Sequence, residues 1–593
     1  MTASTRDLQF ALHNVLDYEG HYQRLLGNEA PGRELIDAIV DEAARFCAGE
    51  LAPLNRTGDE EGCSFADGEV KAPAGFKAAY DKYVEGGWAG LCGEPEHGGQ
   101  GLPDSLGIVL EHQMAAANPA WTMYPALSRG VVEALEHHGS TEQKAQFLPR
   151  LLSGEWTGTM CLTEPHAGSD VGLVRTKAEV QADGSYQISG TKIFISAGEH
   201  DLSENIVHLV LARTPEAPEG TRGISMFVVP KFDLDGTRNG VVCGGIEEKM
   251  GIHGNATCML HFESARGYLV GEENRGMRNM FTMMNAARII VGMQGVCQAE
   301  SALHDATEYA RDRLQMRSLS GPKAPEEVAD PIIVHPDVRR MLLTQRAIVD
   351  GGRVLVYLTG QIADTAASGS DEDQQAAQDL LDFLTPIVKG VLTELGFESV
   401  NLGLQIFGGH GFIRENGMEQ RVRDARITLL YEGTTGIQAL DLLGRKILQT
   451  QGPGLKGFIG LMNELATELE GNGNPFVAGT APALKAHAAD WDALATSLMG
   501  KAMENLDEVG AASVDFLFYS GYLCLAYCWA RIAQTAAQEL DSAEGEDPYL
   551  ASKLNAAEFY FARLLPRAAM HKAAIEAGAD TLMSEPADTF GPW

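Results

Sequence analysis

The stretch SYQISGTKIFIS, residues 185–196, places apolar side chains at a period of two, a pattern typical of a half-buried β-strand. Two similar runs, NIVHLVLA at 205–212 and GISMFVVP at 223–230, lie nearby and are separated by turn signals such as PEGTRG. The region from about 157 to 280 is therefore predicted to form a small antiparallel sandwich or barrel.

Helical periodicity flanks this region on both sides. The runs ELIDAIVDEAARFCAGEL (34–51) and TEQKAQFLPRLLSGEW (141–156) return apolar residues every three or four positions. After Met280 a very long helical segment begins, and the helices that follow it indicate an antiparallel bundle. Gly, Pro and Asn between 451 and 479 mark a boundary before a further helical block. Strands never alternate with helices, so no doubly wound dinucleotide-binding unit is expected.

These patterns predict an α+β multidomain fold with an N-terminal helical domain, a middle antiparallel β domain, a C-terminal helical bundle and an extra C-terminal helical domain. The predicted bounds are an N-terminal arm at 1–39, the N-terminal helical domain at 40–157, the middle β domain at 158–280, the bundle at 281–450 and the C-terminal extension at 460–593.

Composition narrows the functional class. The chain has 593 residues and a net charge of -35, which disfavours nucleic acid and anionic lipid as partners. The nine cysteines are scattered, as expected of reduced thiols in the cytoplasm. The N-terminus does not resemble a secretion signal. The longest strongly apolar window, Phe516 to Ala530, is shorter than the roughly 20 residues of a spanning helix, so we expect a buried helix and no integral membrane segment.

Two stretches of the predicted sheet domain carry groups that suit a flat, polar-edged ring. MCLTEPHAGSD (160–170) offers the hydroxyls of Thr163 and Ser169. GTKIFISAG (190–198) offers Phe194 as a stacking face, with the Ser196 hydroxyl on the same side. An ordinary loop cap and plain sheet packing are the respective structural alternatives.

Two further stretches lie in the second helical region. YARDRLQMR (309–317) projects Arg311, Arg313 and Arg317, and a guanidinium suits phosphate oxygens, although most helical arginines are simply solvated. QIFGGHGF (405–412) lets backbone approach a ligand closely, although a Gly-Gly pair is equally often a turn. No histidine has a partner at metal-ligand spacing, so no metal is predicted.

A lone carboxylate, Glu432, stands in LLYEGTTGIQ (429–438) between an apolar run and a hydroxyl-rich turn. Either Thr434 or Thr435 is expected to cap the helix that follows. Taken by itself, Glu432 is more readily explained as a helix cap or as the partner of an arginine such as Arg445 than as a catalytic group.

In this order, the motifs CLTEPHAGSD, GTKIFISAG, YARDRLQMR, QIFGGHGF and LLYEGTTGIQALDLLGRK resemble those of the acyl-CoA dehydrogenase family over roughly residues 40 to 450. Jointly the motifs are highly specific, whereas each alone is weak. The added arm and C-terminal block resemble the long bacterial branch, which includes the 3-methylmercaptopropionyl-CoA dehydrogenases.

The resemblance implies FAD as cofactor, an acyl-CoA substrate and Glu432 as the general base. Its implied FAD contacts are Met160, Cys161, Leu162, Thr163, Ser169, Phe194, Ile195, Ser196, Arg313, Gln315, Gln405, Gly408, Gly409, Thr434 and Gly436. Its implied substrate contacts are Ser169, Asn285, Arg288 and Gly433. A homodimer or homotetramer follows, because Arg313 and the backbone of 405–409 would meet the flavin of a neighbouring subunit. Electron-transfer flavoprotein is the implied electron acceptor.

On this interpretation Glu432 removes the proton next to the thioester carbonyl while hydride leaves the adjacent carbon for flavin, giving a trans-2-enoyl-CoA. The helix N-terminus favours the carboxylate and burial favours the neutral acid, and we expect burial to dominate once substrate is bound. In the family the base can instead lie just before Arg288, but Ala286 and Ala287 stand there, so no rival carboxylate exists.

Three positions depart from the common family pattern: Phe194 replaces tryptophan, Met316 phenylalanine and Gly436 glutamine. The last removes a side-chain hydrogen bond near the flavin. A stripe of methionines at 277, 280, 283 and 284 is expected to pack in the core rather than to select a sulfur-containing acyl chain.

Three alternatives stay open at this point. An acyl-CoA oxidase would perform the same dehydrogenation with molecular oxygen as acceptor. A DNA-binding flavoprotein of related fold conflicts with the acidic charge. A helical scaffold without catalysis would be colourless.

Overall fold

Long helices dominate the structure, a computed structural model that describes residues 3–542 and 545–591. The α-helices in this part of the chain are α1 Thr5–Gln9, α2 Tyr18–Leu26, α3 Arg33–Phe46, α4 Ala52–Glu61, α5 Phe76–Glu85, α6 Asp104–Ala117, α7 Pro119–His138, α8 Thr141–Leu152, α9 Gly276–Asp312, α10 Pro336–Ser368, α11 Asp371–Phe407, α12 Met418–Arg426, α13 Thr435–Leu440, α14 Pro453–Leu469, α15 Pro475–Glu504, α16 Asp507–Ser542, α17 Pro548–Phe559, α18 Arg567–Glu576 and α19 Asp580–Met583. Short 3-10 and π segments extend several of them.

Strands are concentrated where the sequence alternates. They are β1 Ser64–Ala66, β2 Glu69–Lys71, β3 Trp156–Cys161, β4 Lys177–Val180, β5 Tyr186–Ser196, β6 Asn205–Ala212, β7 Ser225–Pro230, β8 Val241–Ile246 and β9 Thr257–Leu269. The larger sheet has the order β3-β6-β7-β9-β5-β4, and β8 pairs with β9. The sheet domain is confirmed with one difference, because β3 pairs with β6 in parallel whereas the other ladders are antiparallel.

The chain divides into two compact units, and the first contains Asp41–Ala287. Helix α7 packs against strand β3 in this unit, and helices α6 and α8 pack against α7. Met280 and Met283 are buried in its core with Val131 and Leu135, so the predicted core packing of the methionine stripe is confirmed. Met283 fits because Gly130 has no side chain there: a Cβ at that glycine would lie 2.8 Å from the Met283 Cγ.

Sequence reasoning missed a small hairpin in the same unit, in which β1 pairs with β2. Its turn contains Asp67 and Gly68, both at positive φ, of 53° and 83°. An Asp-Gly pair is a strong signal of a two-residue hairpin turn, so the sequence did carry the information.

The second unit contains Ala3–Val40 together with the chain from Arg288 onward. Helices α10 and α11 form the centre of the bundle, α14 and α16 pack against α11, and α15 packs against both α14 and α16. The N-terminal arm also belongs to this unit. Gln361 Nε2 donates to the Leu16 carbonyl at 2.9 Å, and Arg531 Nη2 donates to the Val15 carbonyl at 2.8 Å. The arm is therefore a folded layer that joins the bundle to the C-terminal extension.

A buried ion network fixes this arm. Lys553, 2% exposed, contacts Asp7 at 2.6 Å and Asp350 at 2.8 Å. Arg353 contacts Asp350 at 2.9 Å and Glu300 at 2.8 Å. The network thus links α1, α9, α10 and α17.

Helix α16 is the one helix in the described ranges that is long and apolar enough to cross a membrane, with a mean hydropathy of 1.4 in its best window. Two thirds of that window is buried inside the protein. The residues from Phe516 to Ala530 include Cys524 and Cys528, both fully buried, which favours the predicted core helix. None of the nine cysteines, all within the described ranges, forms a disulfide.

Candidate active site

A buried ion pair holds together the two predicted cofactor segments of the first unit. Lys192, 0% exposed, donates from Nζ to the Leu162 carbonyl at 2.9 Å and to Glu164 Oε1 at 2.9 Å. The Ile193 amide donates to the Thr163 carbonyl at 2.9 Å. Burial works to raise the pKa of Glu164, but Lys192, Thr176 and the Arg175 amide lower it overall. The loop after β3 is therefore fixed beside β5.

A bulge near the end of β5 turns Phe194 outward. Before it the side chains of Tyr186 and Ile188 are buried, whereas after it the odd-numbered Ile195 is buried. Phe194 has φ 59° and is 60% exposed, and Ser196 lies on the same outer side. A bulky residue at positive φ and an exposed ring both have a cost, and such features cluster at functional sites.

The hydroxyls predicted to meet the cofactor are accessible. Thr163 is half-buried, Ser169 is exposed, and neither hydroxyl has a hydrogen-bond partner among residues 3–542 and 545–591. Met160 is half-buried, whereas the Cys161 and Leu162 side chains are buried in the sheet. Only the backbone of those two residues could therefore reach a ligand without rearrangement.

In the second unit, the structure brings the arginine and glycine motifs together at the end of α9. Tyr309 stacks on Phe407, with ring centroids 4.2 Å apart, and its hydroxyl bonds His410 Nδ1 at 2.8 Å. The Arg313 amide donates to the Tyr309 carbonyl at 2.9 Å. Gly408 and Gly409 are exposed, and a Cβ at either would meet open space.

The three arginines of this motif differ in availability. The Arg317 side chain already bonds residues of the loop that follows it, since Nη1 donates to Asp330 at 3.1 Å and to the Ala324 carbonyl at 2.8 Å. Arg313 is half-buried and has no ion pair within the described ranges. Gln315, two residues further along the chain and beyond the end of α9, is exposed. Arg313 is thus a cation of this motif that a phosphate could engage.

Glu432 lies in a left-handed turn held from two helices. Its φ is 56° and that of Gly433 is 93°. Gln438 Nε2 of α13 donates to the Glu432 carbonyl at 2.9 Å, and Lys389 Nζ of α11 donates to the Gly433 carbonyl at 2.6 Å. The half-buried carboxylate of Glu432 forms no hydrogen bond or ion pair within the described ranges, and its backbone amide donates none there either. The turn therefore holds a free acceptor and a free donor side by side.

Burial raises the pKa of Glu432 above its ordinary value, while Arg288 and Lys389 act in the opposite direction. Burial is therefore the largest influence on this carboxyl, and its dominance in the substrate-bound enzyme stays a prediction. The expected capping is wrong for Thr434, which occupies the N-cap of α13 without a side-chain cap bond. Thr435 instead donates to Glu394 Oε1 at 2.7 Å.

The structural alternatives for Glu432 are also wrong. Arg445 pairs with Asp441 at 3.4 Å, not with Glu432. Arg288, predicted to contact CoA, is buried and contacts Asp441 at 3.1 Å. This burial favours a role beside Glu432 over direct contact with CoA. Asn285, one helical turn earlier on α9, is half-buried.

Sequence reasoning missed Lys192, Tyr309 and Lys389, which hold the predicted site residues. Lys192 and Tyr309 lie inside the quoted motifs, and a lysine at a buried strand position was a usable signal. Lys389 lies in an otherwise apolar helical stretch, FLTPIVKGVL at 383–392, where the same signal was present.

One group of possible metal ligands occurs in the described part of the chain: Glu94, Glu96 and His97, whose ligand atoms lie within 4.8 Å of one another. Its two glutamates are exposed, and exposed acidic groups of this kind are common without an ion. The absence of a metal stays a prediction.

Four sequence profiles match consecutive parts of the chain. They describe the acyl-CoA dehydrogenase N-terminal domain at 34–155, the acyl-CoA dehydrogenase middle domain at 159–265, the acyl-CoA dehydrogenase C-terminal domain at 274–448 and an acetyl-CoA dehydrogenase C-terminal-like domain at 458–586.

Two curated relatives match almost the whole chain. A 3-methylmercaptopropionyl-CoA dehydrogenase of Ruegeria pomeroyi is 43% identical, covering 98% of this chain and 99% of the relative. A broad-specificity linear acyl-CoA dehydrogenase, FadE5, of Mycobacterium tuberculosis is 36% identical, covering 95% of each.

The fold is also found in solved structures. An acyl-CoA dehydrogenase complexed with FAD from Bacillus anthracis superposes with a TM-score of 0.74 at 23% identity, covering 96% of this chain and 91% of that one. With all four profiles matched in order and a relative 43% identical over nearly the full length, the chain belongs to the acyl-CoA dehydrogenase family.

Proposed function

We propose that this FAD-dependent acyl-CoA dehydrogenase uses Glu432 as the general base that removes the α-proton of the thioester. The observation that carries this proposal is a carboxylate with a raised pKa, fixed in a left-handed turn and lacking a hydrogen-bond partner in the described part of the chain. An α-carbon hydrogen is very weakly acidic, so its removal needs an aimed base.

The free amide of Glu432 supports a second role for the same turn. A donor placed at the thioester carbonyl oxygen stabilises the negative charge that develops as the proton leaves. Gly433 adds no side chain where the thioester must approach. When bound, FAD accepts the hydride that leaves the β-carbon, so that a carbon–carbon double bond forms between the α and β positions.

The residues present fit FAD. Hydroxyls at Thr163, Ser169 and Ser196 suit the polar edge of the ring system, and the exposed ring of Phe194 suits its face. We assign the pyrophosphate to the free guanidinium of Arg313 and the open backbone of Gln405, Gly408 and Gly409, with Gln315 beside them. Backbone groups of Met160, Cys161, Leu162 and Ile195, together with the exposed Thr434 and the half-buried Gly436, complete the proposed set.

Replacing Phe194 separates stacking from backbone strain. Phe194→Gly should weaken FAD binding to the apoprotein about 3- to 10-fold, because the stacking face is lost. Thermal stability of the apoprotein should be unchanged or higher, since glycine adopts positive φ without cost. Ser264→Gly is the matched control, because Ser264 also has positive φ, 54°, on an exposed part of β9. Equal FAD affinity in the two variants would remove Phe194 from the cofactor site.

Reduction without oxygen tests the reaction itself. Mixing the enzyme anaerobically with linear, branched and thioether-containing acyl-CoA thioesters should bleach the flavin with one or more of them and yield a 2-enoyl-CoA. Subsequent addition of electron-transfer flavoprotein, which we propose as the acceptor, should restore the colour faster than oxygen does. Stoichiometric peroxide in air with no other acceptor would instead indicate an acyl-CoA oxidase.

The compartment, the oligomeric state and the substrate contacts of the enzyme are also proposals. We place the enzyme in the cytoplasm, and we propose a homodimer or homotetramer in which Arg313 faces the flavin of a neighbouring subunit. The substrate contacts proposed for Ser169, Asn285, Arg288 and Gly433 follow from the motif positions. Because Arg288 is buried, we propose that it acts on the substrate indirectly, through the charge of Glu432.

A further inference from the structure

Lys389 lies in the middle of α11 with its side chain 0% exposed, directly against the turn that carries Glu432. Its Nζ donates to the Gly433 carbonyl at 2.6 Å, which is its one hydrogen bond within the described ranges. A buried ammonium with a single neutral acceptor is poorly compensated, because water would have offered three. Such a group requires nearby negative charge to stay protonated.

The charged groups that face Lys389 come from three elements. Glu432 approaches from the turn, Arg288 from α9 and Glu394 from α11 itself. Burial lowers the pKa of Lys389 to about 8, with Arg288 acting in the same direction and the two glutamates opposing it. In return, Lys389 lowers the pKa of Glu432, after Arg288 as the larger influence. The two side chains therefore stabilise each other in their charged forms.

We propose that Lys389 is a positioning residue for the general base: it fixes the left-handed turn through the Gly433 carbonyl, and its positive charge favours the ionised form of Glu432. This inference rests on the proposed role of Glu432. Gln438 of α13 also holds the turn, through the Glu432 carbonyl, but it carries no charge, so of these two side chains only Lys389 adds an electrostatic effect. Within the described ranges Lys389 makes no hydrogen bond or ion pair with the Glu432 carboxylate, so it acts on the base through the turn and through its charge.

The test is the pH dependence of kcat/KM for flavin reduction in the holoenzyme. Lys389→Met removes charge and hydrogen bond, Lys389→Gln removes the charge but keeps a donor, and Lys389→Arg keeps the charge. Without the cation the carboxylate binds its proton more tightly, so in both neutral variants the acid limb should move up by about one pH unit or more. In Lys389→Arg it should stay within a few tenths of a unit of the wild type.

Lys446→Met is the matched control, since Lys446 pairs with Asp382 at 2.6 Å and is partly exposed. Its profile should not move. An unshifted profile in either neutral variant that retains flavin would overturn the inference. So would loss of flavin from both neutral variants while Lys389→Arg retains it, because the lysine would then serve the fold alone. If Glu432→Gln still reduces the flavin at the wild-type rate, the proposed role of Glu432 is wrong, and this inference falls with it. If Glu432→Gln is inactive but the pH profile of Lys389→Met does not shift, only the inference about Lys389 is wrong.

Discussion

Replacing Glu432 by glutamine should slow reduction of the flavin by acyl-CoA about 100- to 10,000-fold, the usual contribution of a positioned general base. Glutamine has the same length and the same backbone preference, but its amide cannot accept the α-proton. The turn should persist, since Gln438 and Lys389 hold it through carbonyl groups. Rapid anaerobic mixing, followed through the flavin absorbance, measures the rate without involving the electron acceptor.

The folding stability of Glu432→Gln tests the role of Glu432 independently of the reaction rate. Because burial raises the pKa of Glu432, folding favours its protonated form, and the ionised form costs stability at neutral pH. Glu432→Gln should therefore be as stable as the wild type or more stable at pH 7. Any gain should vanish below the ordinary pKa of a glutamate, where the carboxyl is protonated in both states. A structural carboxylate would show the opposite, with lower stability on replacement.

Glu398→Gln is the matched control for this variant. Glu398 lies on α11 and pairs with Arg567 at 2.8 Å near the surface. Its replacement should leave the reduction rate within about twofold, since surface ion pairs contribute little. A rate for Glu432→Gln close to that of this control, with flavin retained, would rule out Glu432 as the base.

Periodicity predicted the layer order of the fold, because an alternation of two or a repeat of 3.6 reports which face of a single element is buried. It could not predict that β3 pairs in parallel with β6, because each paired residue lies 49 positions away in the sequence. Nor could it predict the bulge in β5, since the bulge depends on the register with β9. The outward direction of Phe194 is a result of that bulge.

In the candidate site, too, the sequence predicted local features but not those that depend on residues distant in the chain. The motifs placed Glu432 correctly in a turn before a helix, but its free carboxylate and the charges of Arg288 and Lys389 around it are tertiary facts. The expected cap at Thr434 or Thr435 was wrong, because helix-start statistics describe local bonds: Thr434 makes no side-chain cap bond, and Thr435 donates to Glu394 of another helix. Local sequence cannot decide between those partners.

Lys553→Met should destabilise the second unit by about 3–5 kcal/mol, the usual cost of breaking a buried ion pair. Asp7 would lose its cation, and Asp350 would keep only its arginine partners, of which Arg353 is the nearer at 2.9 Å. The arm and α17 should lose amide protection together, because the network joins them. Hydrogen exchange at these elements and chemical denaturation measure the effect. Lys485→Met, which breaks the exposed pair with Glu470, should cost less than about 1 kcal/mol.

The pH dependence of this loss follows from the carboxylates. In the wild type the pKa of Asp7 is lowered, with Lys553 and Arg353 outweighing burial, so the contribution of Asp7 is present above its ordinary pKa and is lost as pH falls. In Lys553→Met the unpaired Asp7 is favoured in its protonated form, so the variant regains stability in acid. The difference between the two proteins should therefore be largest near pH 7 and should shrink towards pH 4. Adding Asp7→Asn to Lys553→Met should restore much of the loss at pH 7. A difference that does not change with pH would mean that Lys553 contributes packing rather than charge.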